Sequence, residues 1–152
     1  MPLLFAYGSC MDENDIARTV KVKYVGTAKL QDHTLGFTRL SINRKCGVAD
    51  IVSRPGHYVE GVLMDVEDFE NLDIREGHPN SYHRKFIQVR NLKNSELVIA
   101  TAYVVREKLV EEIQPSEEYL DLIRAGAQNF LSEEYQQFLE INFTTKRKAV
   151  LE

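Results

Sequence analysis

A glutamate near the middle of the chain stands at the junction of two predicted elements. Glu76 closes an acidic, helix-like stretch, and Gly77 and the turn HPNS separate it from an alternating strand that begins at Tyr82. Glycine permits a sharp turn, and the proline that follows stiffens it. A carboxylate held partly out of water at such a rim has a pKa raised from about 4.3 towards 6–7, which suits proton transfer. The local sequence alone favours a commoner role, an exposed helix-end charge.

A second candidate lies near the N-terminus, in the sequence AYGSCM. The apolar stretch Leu3–Tyr7 predicts a buried strand, which the following glycine and serine end. A turn after a strand presents main-chain N–H groups, and such a concavity can bind a carboxylate or a developing oxyanion. A plain strand-to-helix turn explains the pattern equally well. The residues of this candidate anion-binding turn are Gly8, Ser9, Cys10 and Met11.

Two tyrosines on predicted strands are further candidates. Tyr82 and Arg84 are two residues apart and therefore share one face of their strand. Tyr82 is a candidate to reach a cavity and hydrogen-bond to Glu76 or to a substrate, with core packing as the equal alternative. Arg84 is interpreted as a surface or ion-pairing residue. Tyr103, in the strand ATAYVV, is a candidate to line the same cavity or to pack in the core.

The histidines and cysteines show no metal or disulfide pattern. The four histidines lack the HExxH motif and paired Cys/His spacing, so no metal site is predicted. Cys10 and Cys46 form no disulfide framework and are expected to be reduced thiols in a cytoplasmic protein. Cys10 as a nucleophile, with a distant histidine as its base, is the weaker hypothesis, because a lone cysteine in an apolar region is usually inert core.

The composition is that of a globular protein and excludes several classes of partner. Of the 152 residues, 43% are hydrophobic and 28% are charged, and the formal net charge is -4. This acidic balance argues against nucleic-acid binding, which usually requires a basic surface. No apolar run approaches the roughly 18 residues of a membrane helix, and the N-terminal apolar stretch lacks the basic start of a signal peptide. The sequence does not indicate an oligomeric state.

Strand-like segments dominate the first two thirds of the chain. The predicted helices in this part are short and span 12–19 and 67–75. The last two strands are predicted to form a hairpin. The predicted strands are 3–7, two strands within 22–42, 48–52 closed by Arg54-Pro55-Gly56, 57–66, 82–89 and 97–105.

Helical spacing replaces the strand pattern after Pro115. Ser116 is the predicted N-cap of one helix, and a second helix is predicted to start at Ser132. The order of elements predicts an α+β fold, and many short, bent strands favour a small barrel with flanking short helices. We expect one domain over residues 1–143, followed by a solvated basic tail over 144–152. Its last two residues are interpreted as an expression scar.

Three stretches together resemble the gamma-glutamylcyclotransferase family. They are FAYGSCM from Phe5, LDIREGHPNSYHR from Leu72, and PSEEYLDLIRAGAQNFLSEEYQQFL from Pro115. The tripeptide YGS alone is a weak signal. YGS after an N-terminal strand, followed further along by LD..EG.P..Y.R, is a specific one. The order and spacing match from Leu3 to about Leu139.

This resemblance implies a small mixed β-barrel with helices packed outside and a cavity at one end. It implies an enzyme of the acyltransferase or lyase type that converts a small γ-glutamyl amine or peptide into 5-oxoproline and the free amine, without a metal or organic cofactor. Glu76 would be the acid/base. The loop from Tyr7 to Met11 would bind the glutamyl part mainly through backbone amides. Many relatives have asparagine or leucine where this chain has Cys10, so a side-chain contact there does not carry over.

Two alternatives remain beside the cyclotransferase hypothesis. One is a non-catalytic module of the same fold that binds γ-glutamyl ligands, against which the glutamate at the expected position argues mildly. The other is a thiol-dependent amidohydrolase that uses Cys10. Neither the released amine nor the pathway is indicated by the residues.

Overall fold

The computed structural model describes residues 2–143 apart from the side chain of Glu13, so the predicted basic tail lies outside the described residues. Within this range, five strands form the body and four short helices flank it. The elements are β1 (Leu3–Ala6), a 3₁₀ turn (Ser9–Met11), α1 (Glu13–Ile16), β2 (Val22–Ser41), β3 (Cys46–Val66), α2 (Glu70–Glu76), β4 (Tyr82–Asn91), β5 (Leu97–Val105), α3 (Glu117–Phe130) and α4 (Glu133–Asn142).

The five strands close into a barrel in the order β1-β3-β2-β4-β5. β1 runs antiparallel to β3 and parallel to β5, which it meets at Leu4 and Thr101. β4 and β5 form the predicted hairpin, with pairs from Tyr82–Val105 to Arg90–Leu97. The parallel contact makes the barrel a mixed one. The predicted α+β fold, a small mixed β-barrel with flanking short helices, is confirmed.

β2 and β3 are each one long strand, where the sequence predicted two shorter strands. Their antiparallel ladder changes register beside Gly26, around Asp32 and after Gly36. At the middle shift, residues 54–57 leave the ladder opposite Asp32, and Gly56 adopts a positive φ of 83°. Such bulges bend a strand and increase its twist without ending it. The Arg54-Pro55-Gly56 segment was therefore misread as a strand end, and the segment 22–42 was wrongly divided into two strands.

The core fills the barrel and extends beneath the C-terminal helices. α3 approaches the 3₁₀ turn closely because Gly126 has no side chain: a Cβ added there would lie 2.6 Å from the Cβ of Met11. Both C-terminal helices start at the predicted serine caps, since the hydroxyls of Ser116 and Ser132 accept main-chain N–H groups. The largest fully buried side chains include Phe5, Phe37, Leu63, Ile123 and Tyr135. No helix among residues 2–143 is long and apolar enough to cross a membrane.

Candidate active site

Glu76 is the last residue of α2, and the chain turns sharply after it. Gly77 ends the helix in the left-handed conformation, with φ 68° and ψ 36°. An added Cβ on Gly77 would lie 2.8 Å from the Ser81 hydroxyl. Glycine is favoured here for two reasons, the positive φ and the close approach of the returning chain. The turn leads directly into β4 at Tyr82, and Glu76 is left half-buried at the end of the helix.

Glu76 and the turn after β1 line the same pocket. Another part of the pocket wall is built by the end of β1 and the start of the 3₁₀ turn. These two segments are held to the barrel because β1 pairs with β3 and β5. The structure thus brings together segments from the beginning and the middle of the chain. The predicted site residues that line this pocket are Tyr7, Gly8, Ser9, Cys10, Glu76, Tyr82 and Tyr103.

Met11 is the one predicted site residue that the structure places elsewhere. Its side chain is fully buried against Gly126 of α3 and does not line the pocket. Its main-chain N–H donates to the Gly8 carbonyl at 3.2 Å, so this amide is already occupied. Met11 anchors the turn in the core, and the substrate-binding role predicted for it has no support in this geometry.

The remaining amides of the turn are unoccupied. Among the described atoms of residues 2–143, which leave out the Glu13 side chain, the main-chain N–H groups of Gly8, Ser9 and Cys10 donate to no protein acceptor. All three residues line the pocket. Successive free amides of this kind form an anion-binding concavity. The turn therefore has the donors that a carboxylate or an oxyanion needs.

The carboxylate of Glu76 is electrostatically unusual. Burial raises its pKa above the ordinary value of 4.5, and the positive charges of Arg75 and Arg44 oppose this effect without cancelling it. No residue of the described range donates a hydrogen bond to this carboxylate, which is free to meet a ligand. A carboxyl group with a raised pKa can give and take protons closer to neutral pH.

Tyr82 and Tyr119 are fixed to the same residue of β3. The Tyr82 hydroxyl donates to the Ala49 carbonyl at 2.6 Å, and the Tyr119 hydroxyl accepts the Ala49 N–H at 3.0 Å. Burial raises the pKa of both tyrosines, so both are neutral hydroxyls at physiological pH. The hydrogen bond from Tyr82 to Glu76 that the sequence suggested is not formed. Tyr82 shapes the pocket instead of holding the carboxylate.

Tyr7 and Tyr103 form a second fixed pair. The Tyr7 hydroxyl donates to the Tyr103 carbonyl at 2.5 Å, and the Tyr103 hydroxyl donates to Asp73 at 2.6 Å. Asp73 also pairs with Arg84, whose Nε lies 3.1 Å from the carboxylate. Asp73 thus links α2 to β4 and β5. Because Asp73 and Glu76 are on the same helix, these contacts also fix the position of Glu76.

The thiol of Cys10 lacks the environment of a catalytic nucleophile. Burial raises its pKa to about 12, and the nearby charge of Glu76 adds to the effect. The thiolate is the reactive form of cysteine, and at neutral pH Cys10 is protonated. The geometry argues against the thiol-dependent mechanism. The described side chains also include no group of three or more His, Cys, Asp or Glu placed to hold a metal ion.

Sequence reasoning did not assign six residues that line the pocket: Leu4, Phe5, Ala6, Ala49, Leu72 and Tyr119. Tyr119 lies in α3, where the helical spacing by itself indicates only packing. A buried tyrosine needs a partner for its hydroxyl, and this is the one signal in the sequence that pointed beyond packing. Ala49 acts through its main chain, which no side-chain pattern reveals.

A wider groove continues outward from the pocket. The two share Ser9, Glu76, Tyr82 and Tyr119, which therefore lie at the boundary between them. The turn between β2 and β3 lines the outer part of the groove. A ligand too large for the pocket has a continuous path into this groove.

Comparison with known proteins places this chain in a family. A family model described as gamma-glutamyl cyclotransferase, AIG2-like, matches residues 4–122. The chain belongs to this family. All residues named above as lining the pocket lie within the matched range. The resemblance predicted from the motifs is thereby confirmed.

Several solved structures share the cyclotransferase-family fold. One named gamma-glutamyl cyclotransferase is 28% identical with a TM-score of 0.83, over 91% of this chain and 86% of its own. An uncharacterized protein from Homo sapiens gives the same identity and TM-score over 91% and 85%. YkqA from Bacillus subtilis is 28% identical with a TM-score of 0.79, over 95% of this chain and 54% of its own. Among curated proteins, none matches the chain.

Proposed function

We propose that this protein is a cyclotransferase that converts a γ-glutamyl amine or peptide into 5-oxoproline and releases the amine, with Glu76 as the general acid/base. One observation carries the proposal: a half-buried carboxylate with a raised pKa shares a pocket with the free amides of Gly8, Ser9 and Cys10. Membership of the gamma-glutamyl cyclotransferase, AIG2-like family supports the same class of reaction.

The reaction breaks one carbon–nitrogen bond and makes another within the substrate. The α-amino nitrogen attacks the γ-carbonyl carbon and closes a five-membered lactam, while the bond to the leaving nitrogen breaks. The α-ammonium group becomes the lactam N–H, and the leaving amide N–H becomes an ammonium group. Two protons therefore pass from the attacking nitrogen to the leaving nitrogen, and none is gained or lost overall.

Glu76 is assigned the transfer of these protons. As a carboxylate it accepts a proton from the α-ammonium group, and as a carboxylic acid it donates a proton to the leaving nitrogen, so one group serves in turn. Burial supports this assignment because it raises the pKa of Glu76 and brings the two protonation states closer in energy. No hydrogen bond from the described part of the chain restrains the carboxylate.

The turn after β1 is assigned the binding of negative charge. The free amides of Gly8, Ser9 and Cys10 would bind the substrate's α-carboxylate or the oxyanion that forms at the γ-carbonyl. The fixed tyrosines shape the pocket so that the γ-glutamyl chain folds back on itself. Such positioning supplies much of the acceleration, since well-oriented intramolecular reactions reach effective molarities of about 10⁵ M or more.

The test is release of 5-oxoproline from a panel of γ-glutamyl amino acids, peptides and amines, followed by mass spectrometry. We expect Glu76→Gln to lower kcat by about 100-fold or more, because a positioned acid/base contributes about 10²–10⁴. Glu70→Gln is the matched control, since it makes the same change on the same helix at an exposed residue outside the pocket. Equal rates for wild type and Glu76→Gln would show that the assigned role is incorrect.

The same experiment distinguishes a binding module from an enzyme. A non-catalytic protein of this fold would bind γ-glutamyl compounds, detected by calorimetry, and would release no 5-oxoproline from any of them. The raised pKa of Glu76 supports the enzyme, because a strongly perturbed pKa in a pocket is typical of catalytic acids and bases.

A further inference from the structure

The groove outside the pocket is rich in arginine. Arg39, Arg44 and Arg75 line it, and Glu76 is the one acidic side chain among its described lining residues. The chain as a whole carries a formal charge of -4. A local cationic groove on an acidic protein attracts and orients anionic ligands. The part of a substrate that extends beyond the pocket therefore meets positive charge.

Only two of these arginines are available to a ligand. The Arg75 guanidinium pairs with the Asp15 carboxylate and also donates to the Thr19 hydroxyl. For Arg39 and Arg44, no carboxylate whose position the structure describes lies within ion-pair distance. The charge of Arg75 is therefore paired within the protein, whereas Arg39 and Arg44 are available to a ligand.

Arg44 is held in place at the boundary of the pocket. Its guanidinium lies 5.0 Å from the ring centroid of Tyr119, a residue that lines both pocket and groove. Tyr119 is itself fixed by its hydrogen bond to Ala49. The Ser41 hydroxyl accepts the Arg44 N–H at 3.1 Å and so stabilises the turn between β2 and β3. Stacking and a structured turn reduce the entropy that an arginine loses when it binds a ligand.

The direction of the substrate follows from the proposed reaction. If the γ-glutamyl part occupies the pocket and the leaving nitrogen lies beside Glu76, the rest of the leaving amine extends into the groove. When that amine is an amino acid, its carboxylate is only two bonds from the leaving nitrogen. Each further residue of a peptide moves the carboxylate by about 3.5 Å. Arg44 and Arg39 both line this path.

We propose that Arg44, together with Arg39, binds the carboxylate of the leaving group. The preferred substrates are then γ-glutamyl amino acids and short γ-glutamyl peptides with a free C-terminal carboxylate. γ-Glutamyl amines without a carboxylate are poorer substrates, and those with a cationic leaving group are the poorest. This inference rests on the proposed cyclotransferase function, which it extends to the choice of substrate.

The test compares γ-glutamylalanine with γ-glutamylalaninamide, which differ only in the carboxylate of the leaving group. We expect wild-type kcat/KM to favour the acid by about tenfold, the effect of one hydrogen-bonded ion pair. In Arg44→Gln this preference falls towards unity, mainly through a higher KM for the acid. Lys45→Gln is the matched control: it removes a positive charge from the same turn, at a residue that does not line the groove, and should keep the wild-type preference.

A binding measurement separates this inference from the proposed reaction. Calorimetry on Glu76→Gln, with and without Arg44→Gln, measures the affinity for both compounds without turnover. One outcome is that the acid binds more tightly than the amide in an Arg44-dependent way while wild type releases no 5-oxoproline. That result supports the arginine site and overturns the proposed reaction. Turnover of both compounds with no preference, or a preference that Arg44→Gln leaves intact, overturns the arginine site alone. If wild type neither binds nor turns over either compound, both proposals are overturned.

Discussion

Two regions of the molecule contain carboxylates that are shielded from water, and their surroundings differ. In the barrel, Asp50 is completely buried and accepts hydrogen bonds from the Thr38 hydroxyl at 2.7 Å, the Val105 N–H at 3.0 Å and the Lys108 ammonium at 2.6 Å. In the pocket, Glu76 accepts no hydrogen bond from residues 2–143, and burial raises its pKa. The first carboxylate is fully satisfied by the fold, and the second is not.

Glu60 resembles Asp50 rather than Glu76. It is only 2% exposed, and its two oxygens accept the main-chain N–H and the hydroxyl of Ser132 at 2.9 and 2.7 Å. Ser132 is the N-cap of α4, so this charge also lies at the positive end of a helix. A buried charge is tolerated when its hydrogen bonds are satisfied. The contrast indicates that Asp50 and Glu60 stabilise the fold, whereas Glu76 is kept available for a ligand.

The largest stability effect is expected at Asp50. Asp50→Asn removes the charge that pairs with Lys108 and replaces one acceptor oxygen by an N–H₂ donor. We expect the free energy of unfolding to fall by about 3 kcal/mol, the lower end of the range for breaking a buried pair, because Lys108 is partly exposed and can turn to water. Urea denaturation measures the change. A variant as stable as wild type would contradict the structural role of this carboxylate.

The second effect is expected at Glu60 and is smaller. Glu60→Gln keeps one acceptor oxygen for Ser132, but its N–H₂ group then faces the second of the two Ser132 donors. The variant also removes a negative charge from the N-terminus of α4. The expected loss is about 1–2 kcal/mol. Glu133→Gln is the control, since it makes the same change in the first turn of α4 at an exposed residue. If both variants lost the same stability, burial of Glu60 would not be the cause.

The sequence predicted the strands well wherever local patterns alone decide them. β1, β4 and β5 lie close to their predicted positions, because an apolar run or an alternating stretch ends there at clear turn residues. The long strands β2 and β3 were divided in two. A glycine or proline can end a strand or bend it, and the choice depends on the partner strand, which the local sequence does not contain.

Site residues that lie in a recognisable motif could be predicted from the sequence. Residues that reach the site only through the packing of distant segments could not. The two halves of the pocket were found because Glu76 and the turn after Tyr7 are in recognisable stretches. Met11 was included by contiguity alone, although its burial depends on the approach of Gly126 from α3. Arg44 was not considered, because an exposed arginine in a hairpin turn becomes a candidate only when the turn is seen beside the pocket.

The smallest effect on stability is expected at Glu76 itself, and it tests whether this carboxylate differs from Asp50 and Glu60. Because the folded-state pKa of Glu76 lies above its ordinary value of 4.5, ionising this carboxylate costs the folded protein more than the unfolded chain. The protein therefore loses stability as the pH rises through the folded-state pKa, and below 4.5 the penalty is absent. Glu76→Gln lacks this penalty, so it should be at least as stable as wild type at pH 7.

The difference in the free energy of unfolding between Glu76→Gln and wild type should vanish at pH 4, where Glu76 is protonated in both the folded and the unfolded state. Measuring unfolding by urea at the two pH values for both proteins removes the contribution of every other titrating group, because both proteins share them. We expect the effect to be smaller than those at Asp50 and Glu60, since Arg75 and Arg44 partly offset the burial of Glu76. A variant less stable than wild type at pH 7 would mean that the Glu76 carboxylate is stabilised by the fold, as Asp50 is, and the contrast between the two regions would be lost.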